Sequence, residues 1–285
     1  MSADAGARPF LLLDRAGAER DLVGFLAHFN PLYSISGFIV GALVGFTGVG
    51  GGSLMTPLLV LLFGIAPATA VGTDLLYAAI TKSNGTLVHA LNHTVDWRVT
   101  FRLAAGSVPA TIATLIALAL LGQSSSHAAN GLITSVLGFA LILTACAILF
   151  RGFLLRYLSR HTDRLSERQI RLLTHLLGAF LGVLVSISSV GAGAIGITVL
   201  LALYPKYPTV RLIGSDIAHA VPLTFVAGLG HWVLGSVDWN LLVSLLIGSI
   251  PGIAIGSMLA ARIPDKFLRP VLASTLAAVG VKLSL

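Results

Sequence analysis

Charge is what this sequence is shortest of. Only 10% of its 285 residues are Asp, Glu, Lys or Arg, against roughly 25% in a soluble domain. So few charges cannot solvate the surface of a water-soluble protein of this length. Cysteine is nearly absent too: Cys146 stands alone inside an apolar run, which excludes an internal disulfide. The alternating segments of about ten residues that mark a spanning β-barrel are missing. No Walker-type phosphate loop occurs, so the chain does not power itself with ATP. Neither a His-Glu-x-x-His nor a Gly-x-Ser-x-Gly site occurs, which argues against an intramembrane enzyme. The glycine run from Gly48 to Gly52 has no βαβ unit around it and is not a dinucleotide fingerprint. No cofactor and no resident metal are expected.

Apolar residues fill the gap. They make up 56% of the chain, and the mean hydropathy is +0.94. The apolar runs are long, continuous and recurrent, so the expected structure is all-α and polytopic, with lipid as its solvent. The formal charge of +7 could suggest nucleic acid. The basic residues instead lie between apolar segments, which is the membrane-topology pattern, and no nucleic-acid partner is expected. Residues 1–32 mix Arg8, Asp14, Arg15, Glu19, Arg20 and Asp21 around one short apolar patch and do not read as a cleavable signal. Residues 18–30 suit an interfacial helix.

The chain repeats itself. Gly72-Thr73-Asp74, His89, Val95-Asp96-Trp97 and Gly106-Ser107-Val108-Pro109 recur at an offset of 142 as Gly214-Ser215-Asp216, His231, Val237-Asp238-Trp239 and Gly248-Ser249-Ile250-Pro251. Upstream the offset is 141: Gly37, Gly41 and Gly45 match Gly178, Gly182 and Ser186, while Gly50 and Gly52 match Gly191 and Gly193. A period of this size decides the architecture. The units are residues 33–150 and 174–285, joined by a polar linker, 151–173. Each reads as five segments: 33–48, 53–63, 69–92, 98–121 and 130–150, then 173–189, 194–204, 212–235, 239–262 and 266–284.

Loop charges predict that the two units are inverted. The Arg-rich linker should be cytoplasmic, and the uncharged loop 122–129 outside. Arg98 and Arg102 then put the first Val-Asp-Trp loop inside, whereas its counterpart at 235–240 has no Lys or Arg and belongs outside. Lys206 and Arg211 put loop 204–211 inside, although its counterpart 64–70 is neutral and outside. Inverted repeats of this kind are common in secondary transporters. The stretch 172–203 must then leave and return within about 32 residues, when two crossings need about 40. A broken, re-entrant helical hairpin is expected to open each unit, turning at residues 47–53 and 188–193. Unwound backbone at that depth survives only against protein or a water-filled cavity.

Those turns are the candidate substrate site. A short helix starting at Ser53 or Ala194 offers free N–H groups and a positive dipole end to an anion, without a formal charge to desolvate. Gly50, Gly51, Gly52, Gly191 and Gly193 would let backbone approach the anion closely, and Thr47, Ser53, Ser188 and Ser189 would add hydroxyl donors. Tight helix packing is the competing explanation for the glycines, and it is the preferred one for the stripes at Gly37/Gly41/Gly45, Gly178/Gly182/Ser186 and Gly248/Gly252/Gly256. Lys82 lies near the middle of its segment, where an ammonium costs roughly 2.5–3.5 kcal/mol. It should face a cavity, the anion or Asp74, and its repeat partner is the uncharged Thr224. Asp74 and Asp216, at matched positions, are candidates for proton coupling or for holding a hinge. The matched His89 and His231 are candidates for gating or headgroup contact. His89 and His93 have zinc-compatible spacing but lack a third ligand. Asp96 and Asp238 suit N-caps, with Trp97 and Trp239 as interfacial anchors. Arg156, Arg160, Arg164 and Arg168 recur every four residues and could form a basic helical face.

Taken together, Gly48-Val-Gly-Gly-Gly-Ser53, Ala70-Val-Gly-Thr-Asp74 and Val95-Asp-Trp-Arg98, with their fainter echo in the second half, resemble the sulfite exporter TauE/SafE family of membrane transporters. The resemblance covers nearly everything after residue 33. It implies a multi-pass bacterial inner-membrane protein that moves sulfite, sulfonates, sulfoacetate or related organosulfur anions, commonly outward. The second turn departs from the first: Ser188, Ser189 and Ala192 stand for Thr47, Gly48 and Gly51. The expected function is therefore a secondary transporter, an exporter, of a small anion, alternating access around a midplane site. An anion channel, or a membrane scaffold for sulfur-compound metabolism, is the alternative. Proton coupling and a homo-oligomer are left open.

Overall fold

The computed structural model describes residues 31–47, 52–124, 126–162, 165–260 and 265–284. The interfacial helix expected at 18–30 lies outside them. The described residues form eleven helices and no strand. The first half contains α1 (Pro31–Thr47), α2 (Gly52–Phe63), α3 (Pro67–Leu91), α4 (Trp97–Ser124) and α5 (Ser126–Leu149). A short α6 (Arg151–Thr162) follows. The second half contains α7 (Glu167–Ser188), α8 (Ala194–Leu203), α9 (Thr209–Val233), α10 (Trp239–Ala260) and α11 (Asp265–Ser284).

Local chemistry sets the helix starts. Asp96 accepts from the N–H groups of Arg98 and Val99 at 3.0 and 3.2 Å, and Asp238 accepts from Leu241 N–H at 3.0 Å. Both are the N-caps the sequence suggested. Pro67 starts α3, where its missing N–H costs nothing. The linker is more helical than its polarity suggested. Its first part forms α6, and α7 already begins at Glu167, fixed by a reciprocal capping box between Ser166 and Gln169. The first arm of the second hairpin is thus a 22-residue helix, and only its second arm, α8, with 10 residues, is short.

Among the described residues, five helices are long and apolar enough to cross a membrane: α4, α5, α7, α9 and α10. Exposed apolar side chains such as Phe101, Ile112, Ile116 and Leu120 run down α4, as expected where lipid is the solvent. Helix α3 is as long as α9 but more polar, with Thr81, Lys82, Ser83 and Asn84 in its middle. Its residues Ala70 to Ala79 are all buried, so protein surrounds that part on every side.

The halves interlock. The most extensive helix contacts pair α1 with α10, α4 with α7, α3 with α9, and α5 with α11, each partner coming from the other half. Glycines set the spacing, as the small-residue stripes predicted. A methyl at Gly41 would lie 2.6 Å from the Ser249 carbonyl oxygen, and one at Gly182 would lie 2.5 Å from that of Ser107. Gly248, Gly252 and Gly256 return the contact onto the backbone of Ser34, Phe38 and Ala42, so α1 and α10 run parallel. Helices α3 and α9 run antiparallel: Gly72 packs on Ser236, Leu76 on Gly228, Gly85 on Ile217, and Thr94 on Gly214.

Within each half, the first two helices fold back on each other. Thr174 of α7 shares a 2.8 Å hydrogen bond with the hydroxyl of Tyr204, just past α8. At the corresponding places Tyr33 of α1 meets Phe63 of α2 edge to face, with ring centroids 4.9 Å apart.

Candidate functional site

The break between α7 and α8 is held open by its own residues. Ser189 ends α7 in the left-handed region at φ 58°, and Gly191 follows at φ 110°, which only glycine adopts without strain. The Ser188 hydroxyl donates to Leu184 O at 2.7 Å and accepts from Val190 N–H at 3.2 Å. Ser188 therefore shapes the turn, while Ser189 Oγ keeps its hydrogen-bonding capacity: it is buried and has no partner. Gly191 O accepts from both Ile195 N–H and Gly196 N–H, at 3.1 and 3.4 Å. Among the described residues the N–H groups of Ala192, Gly193 and Ala194 have no such acceptor. They form the donor end of α8 that the sequence pointed to.

Asp74 of α3 lies beside this break. Thr56 Oγ1, from α2, donates to Asp74 Oδ2 at 2.5 Å. The Ser189 hydroxyl approaches the same carboxyl, but neither Ser189 Oγ nor Asp74 Oδ1 completes a hydrogen bond. One turn along α3, the Tyr77 hydroxyl comes up to Ser249 of α10, and again neither oxygen completes a bond. Helix α9 supplies the counterparts. Asp216 is buried with Oδ1 unpartnered. It lies against Gly196 of α8, where a methyl would sit 2.5 Å from that oxygen. His219, at the position matching Tyr77, contacts Ser107 of α4, with Nε2 and Oγ 2.9 Å apart. Lys82 interacts electrostatically with Asp216 and, less strongly, with Asp74, and it also faces His219. Lys82 is therefore not a partner of Asp74 alone: it interacts with Asp216 as well.

Two sets of contacts close the ends of the α3–α9 pair. Thr73 Oγ1 accepts from Asp238 N–H at 3.1 Å, and Ser215 Oγ accepts from Asp96 N–H at 2.8 Å. His231 is buried and its Nε2 contacts Ser186 O at 2.9 Å, so it faces protein and not lipid headgroups. His89 is half-buried, with Nδ1 2.8 Å from Thr94 Oγ1. Both histidines pack at the glycine contacts that join the helices, His231 at Gly72 and His89 at Gly214. No cluster of His, Cys, Asp or Glu suited to a metal occurs among the described residues.

The structure thus sets Ser189 beside Asp74 and Gly196 beside Asp216 at two places along the antiparallel α3–α9 pair, with Lys82 interacting electrostatically with both carboxyls. His89 and His231 lie at the two ends of that pair. Of the first turn, Gly50 and Gly51 fall outside the described residues. Thr47, Gly52 and Ser53 end or begin helices, and their side chains fall outside as well. Sequence reasoning missed Thr56, Tyr77, Ser107, His219 and Ser249. Ser107 and Ser249 were visible as matched polar residues beside matched prolines. Tyr77 and His219 stand at the same offset of 142 but share no residue type.

Chemically, these places offer hydroxyl groups, backbone N–H groups without a backbone acceptor, two buried carboxyls and an ammonium that interacts electrostatically with both. Such a set can bind an oxyanion and can exchange protons.

A family model described as "Sulfite exporter TauE/SafE" matches residues 33–283. Over 250 residues the chain is 39% identical to the probable membrane transporter protein YjnA of Bacillus subtilis (strain 168), covering 87% of this chain and 97% of that protein. It is 28% identical to the probable membrane transporter protein YdhB of the same organism, over 86% of this chain and 96% of that protein. It is 29% identical to the probable membrane transporter protein MJ0441 of Methanocaldococcus jannaschii, over 88% and 94%. No solved structure matches the chain.

Proposed function

The chain belongs to the sulfite exporter TauE/SafE family of membrane transporters, and from that premise we propose that it is a secondary exporter of a small oxyanion such as sulfite, a sulfonate or another organosulfur anion. One observation carries the proposal. The break between α7 and α8 leaves backbone N–H groups without a backbone acceptor and brings the Ser189 hydroxyl up to the buried Asp74 of the other half. Backbone donors at a helix start bind an anion without adding a buried charge, and transporter sites are commonly built at such breaks.

The two units act as an inverted repeat. Their corresponding helices α3 and α9 run antiparallel, and both ends of the pair are closed by matched contacts, Thr73 with Asp238 and Ser215 with Asp96. A centre bounded by two related and oppositely directed halves can open to one side and then the other by rocking one against the other. Lys82 attracts the anion and balances the carboxylates. Asp74 and Asp216 are the coupling groups, because an anion entering beside two carboxylates and one ammonium adds charge that a proton can offset. The first Val-Asp-Trp loop and the linker 151–173 face the cytoplasm of the bacterial inner membrane, as their arginines favour.

The test is uptake of labelled sulfite, a sulfonate and a carboxylate control into proteoliposomes, with and without a pH gradient. Saturable, gradient-dependent flux of the sulfur anions is expected. Ohmic, unsaturable current would make the protein a channel, and absence of flux for every anion would overturn the transport reading.

A further inference from the structure

Helix α6 follows directly on the apolar helix α5. The span of α5 ends at Leu149, and Phe150 forms the turn between the two helices. Helical hydrogen bonds run through that turn, from Phe150 N–H to Cys146 O and from Leu154 N–H to Phe150 O, both 2.9 Å. The side-chain register of α5 therefore carries over into α6. Leu149, Phe150, Phe153 and Tyr157 are linked by steps of three and four residues, which makes them one strip on the helix surface. Every member of the strip is more than half exposed. The rings of Phe153 and Tyr157 stack, with centroids 6.2 Å apart and planes 12° apart. Leu154 and Leu155 are partly buried, and α6 packs against α8. One apolar face of α6 is thus turned to protein, and the aromatic strip is turned away from it.

What covers the strip follows from where it starts and what flanks it. It starts on a helix whose solvent is lipid and continues without interruption, so it meets the same solvent at the membrane surface. Arg156, three residues past Phe153 and so beside it on the helix, is exposed. Its Nε donates to Gly152 O at 3.2 Å, which holds the guanidinium along the flank of the strip. Arg151 opens the helix, and in sequence Arg160 follows Arg156 by four. No Asp or Glu occurs from Trp97 to Thr162, so α4, α5 and α6 contain no acidic residue. A second copy docking through the same face would set arginine against arginine. An anionic monolayer fits both features: the rings enter where acyl chains meet headgroups, and the guanidinium pairs with a phosphate. We infer that Phe153, Tyr157 and Arg156 form an anionic-phospholipid site that fixes α6 as an interfacial helix. The site is independent of which anion the protein moves.

The test uses the full chain with Cys146→Ser, carrying a fluorophore at Phe153→Cys or at Gly152→Cys. Gly152 is exposed, and a side chain there meets open space. It lies about 100° around the helix from Phe153, outside the strip. Each protein is reconstituted in mixed phosphatidylcholine and phosphatidylglycerol vesicles, with a nitroxide quencher at the top of the acyl chain of one lipid or the other. Quenching at position 153 should exceed that at position 152 severalfold. At equal lipid fractions the phosphatidylglycerol quencher should occupy the site at least about fivefold more than the phosphatidylcholine one, the gain expected from a single arginine at an anionic surface. Arg156→Gln should lower that ratio severalfold and leave the difference between positions 152 and 153 in place. Equal quenching at the two positions, or none at 153, overturns the inference. So does equal quenching by the two lipids, or an unchanged ratio in Arg156→Gln. Flux is not read in this experiment, so failure of the exporter reading would not alter its outcome.

Discussion

Helices α3 and α9 are corresponding members of the two halves, yet they meet the same burial problem in different ways. Both aspartates leave Oδ1 unpartnered, but Asp74 on α3 has its Oδ2 held by Thr56, whereas Asp216 on α9 rests against Gly196. His219 on α9 reaches Ser107, but Tyr77 and Ser249, at the matched positions, leave their hydroxyls unpaired. Lys82 on α3 is answered on α9 by Thr224, whose hydroxyl bonds back to Ala220 O at 2.7 Å. At their ends the helices are alike, clasped by Thr73 with Asp238 and by Ser215 with Asp96. The lesson is one of division: matched clasps at Thr73 and Ser215 hold the two halves together, while the polar groups further along each helix differ between the halves.

The largest expected effect comes from moving the charge. Lys82→Thr removes the cation that interacts electrostatically with the buried Asp74 and Asp216, and their burial is then uncompensated. Its melting temperature in detergent should fall and sulfite flux should drop at least tenfold. Adding Thr224→Lys returns a cation to the matched position and should recover part of both. Normal flux in the single variant would remove Lys82 from the site.

A smaller effect tests the likeness of the ends. Gly72→Ala and Gly214→Ala each push a methyl into a backbone carbonyl of the facing loop, that of Ser236 or Thr94. Each should destabilise the protein by about 1–3 kcal/mol, as overpacking does. Thermal melts should give similar losses at the two sites. A large loss at only one of them would mean that the ends differ more than their contacts suggest.

The smallest effect concerns the two cross-half contacts in the middle. A double-mutant cycle on His219 and Ser107 should give a coupling of about 0.6 kcal/mol, the usual size of a hydrogen bond between membrane helices. The same cycle on Tyr77 and Ser249 should give almost none without ligand. Equal couplings would erase the asymmetry between the two contacts.

Much of the frame was legible because the polar residues repeat. Gly72, Gly214, Asp96 and Asp238 stood out by identity at one offset, and all of them sit where the halves touch. The glycine stripes were legible because only small residues let two helix backbones approach so closely. Tyr77 and His219 were not, since a phenol and an imidazole do similar work with no shared letter, and each lies in an apolar run that hides it. Thr56 was invisible for a different reason: its partner, Asp74, is 18 positions away across a turn, and no helical or strand spacing links them. Helix α6 and the early start of α7 were obscured by polarity, which marks exposure to water as readily as absence of structure.

The central claim is that the two halves lie in the membrane in opposite senses, and site-directed labelling tests it most directly. In a Cys146→Ser background, Arg98→Cys and Asn240→Cys report the exposed starts of α4 and α10. A membrane-impermeant maleimide applied to sealed right-side-out vesicles should label position 240 and spare position 98 until the membrane is opened. Labelling of both positions from one side would contradict the account.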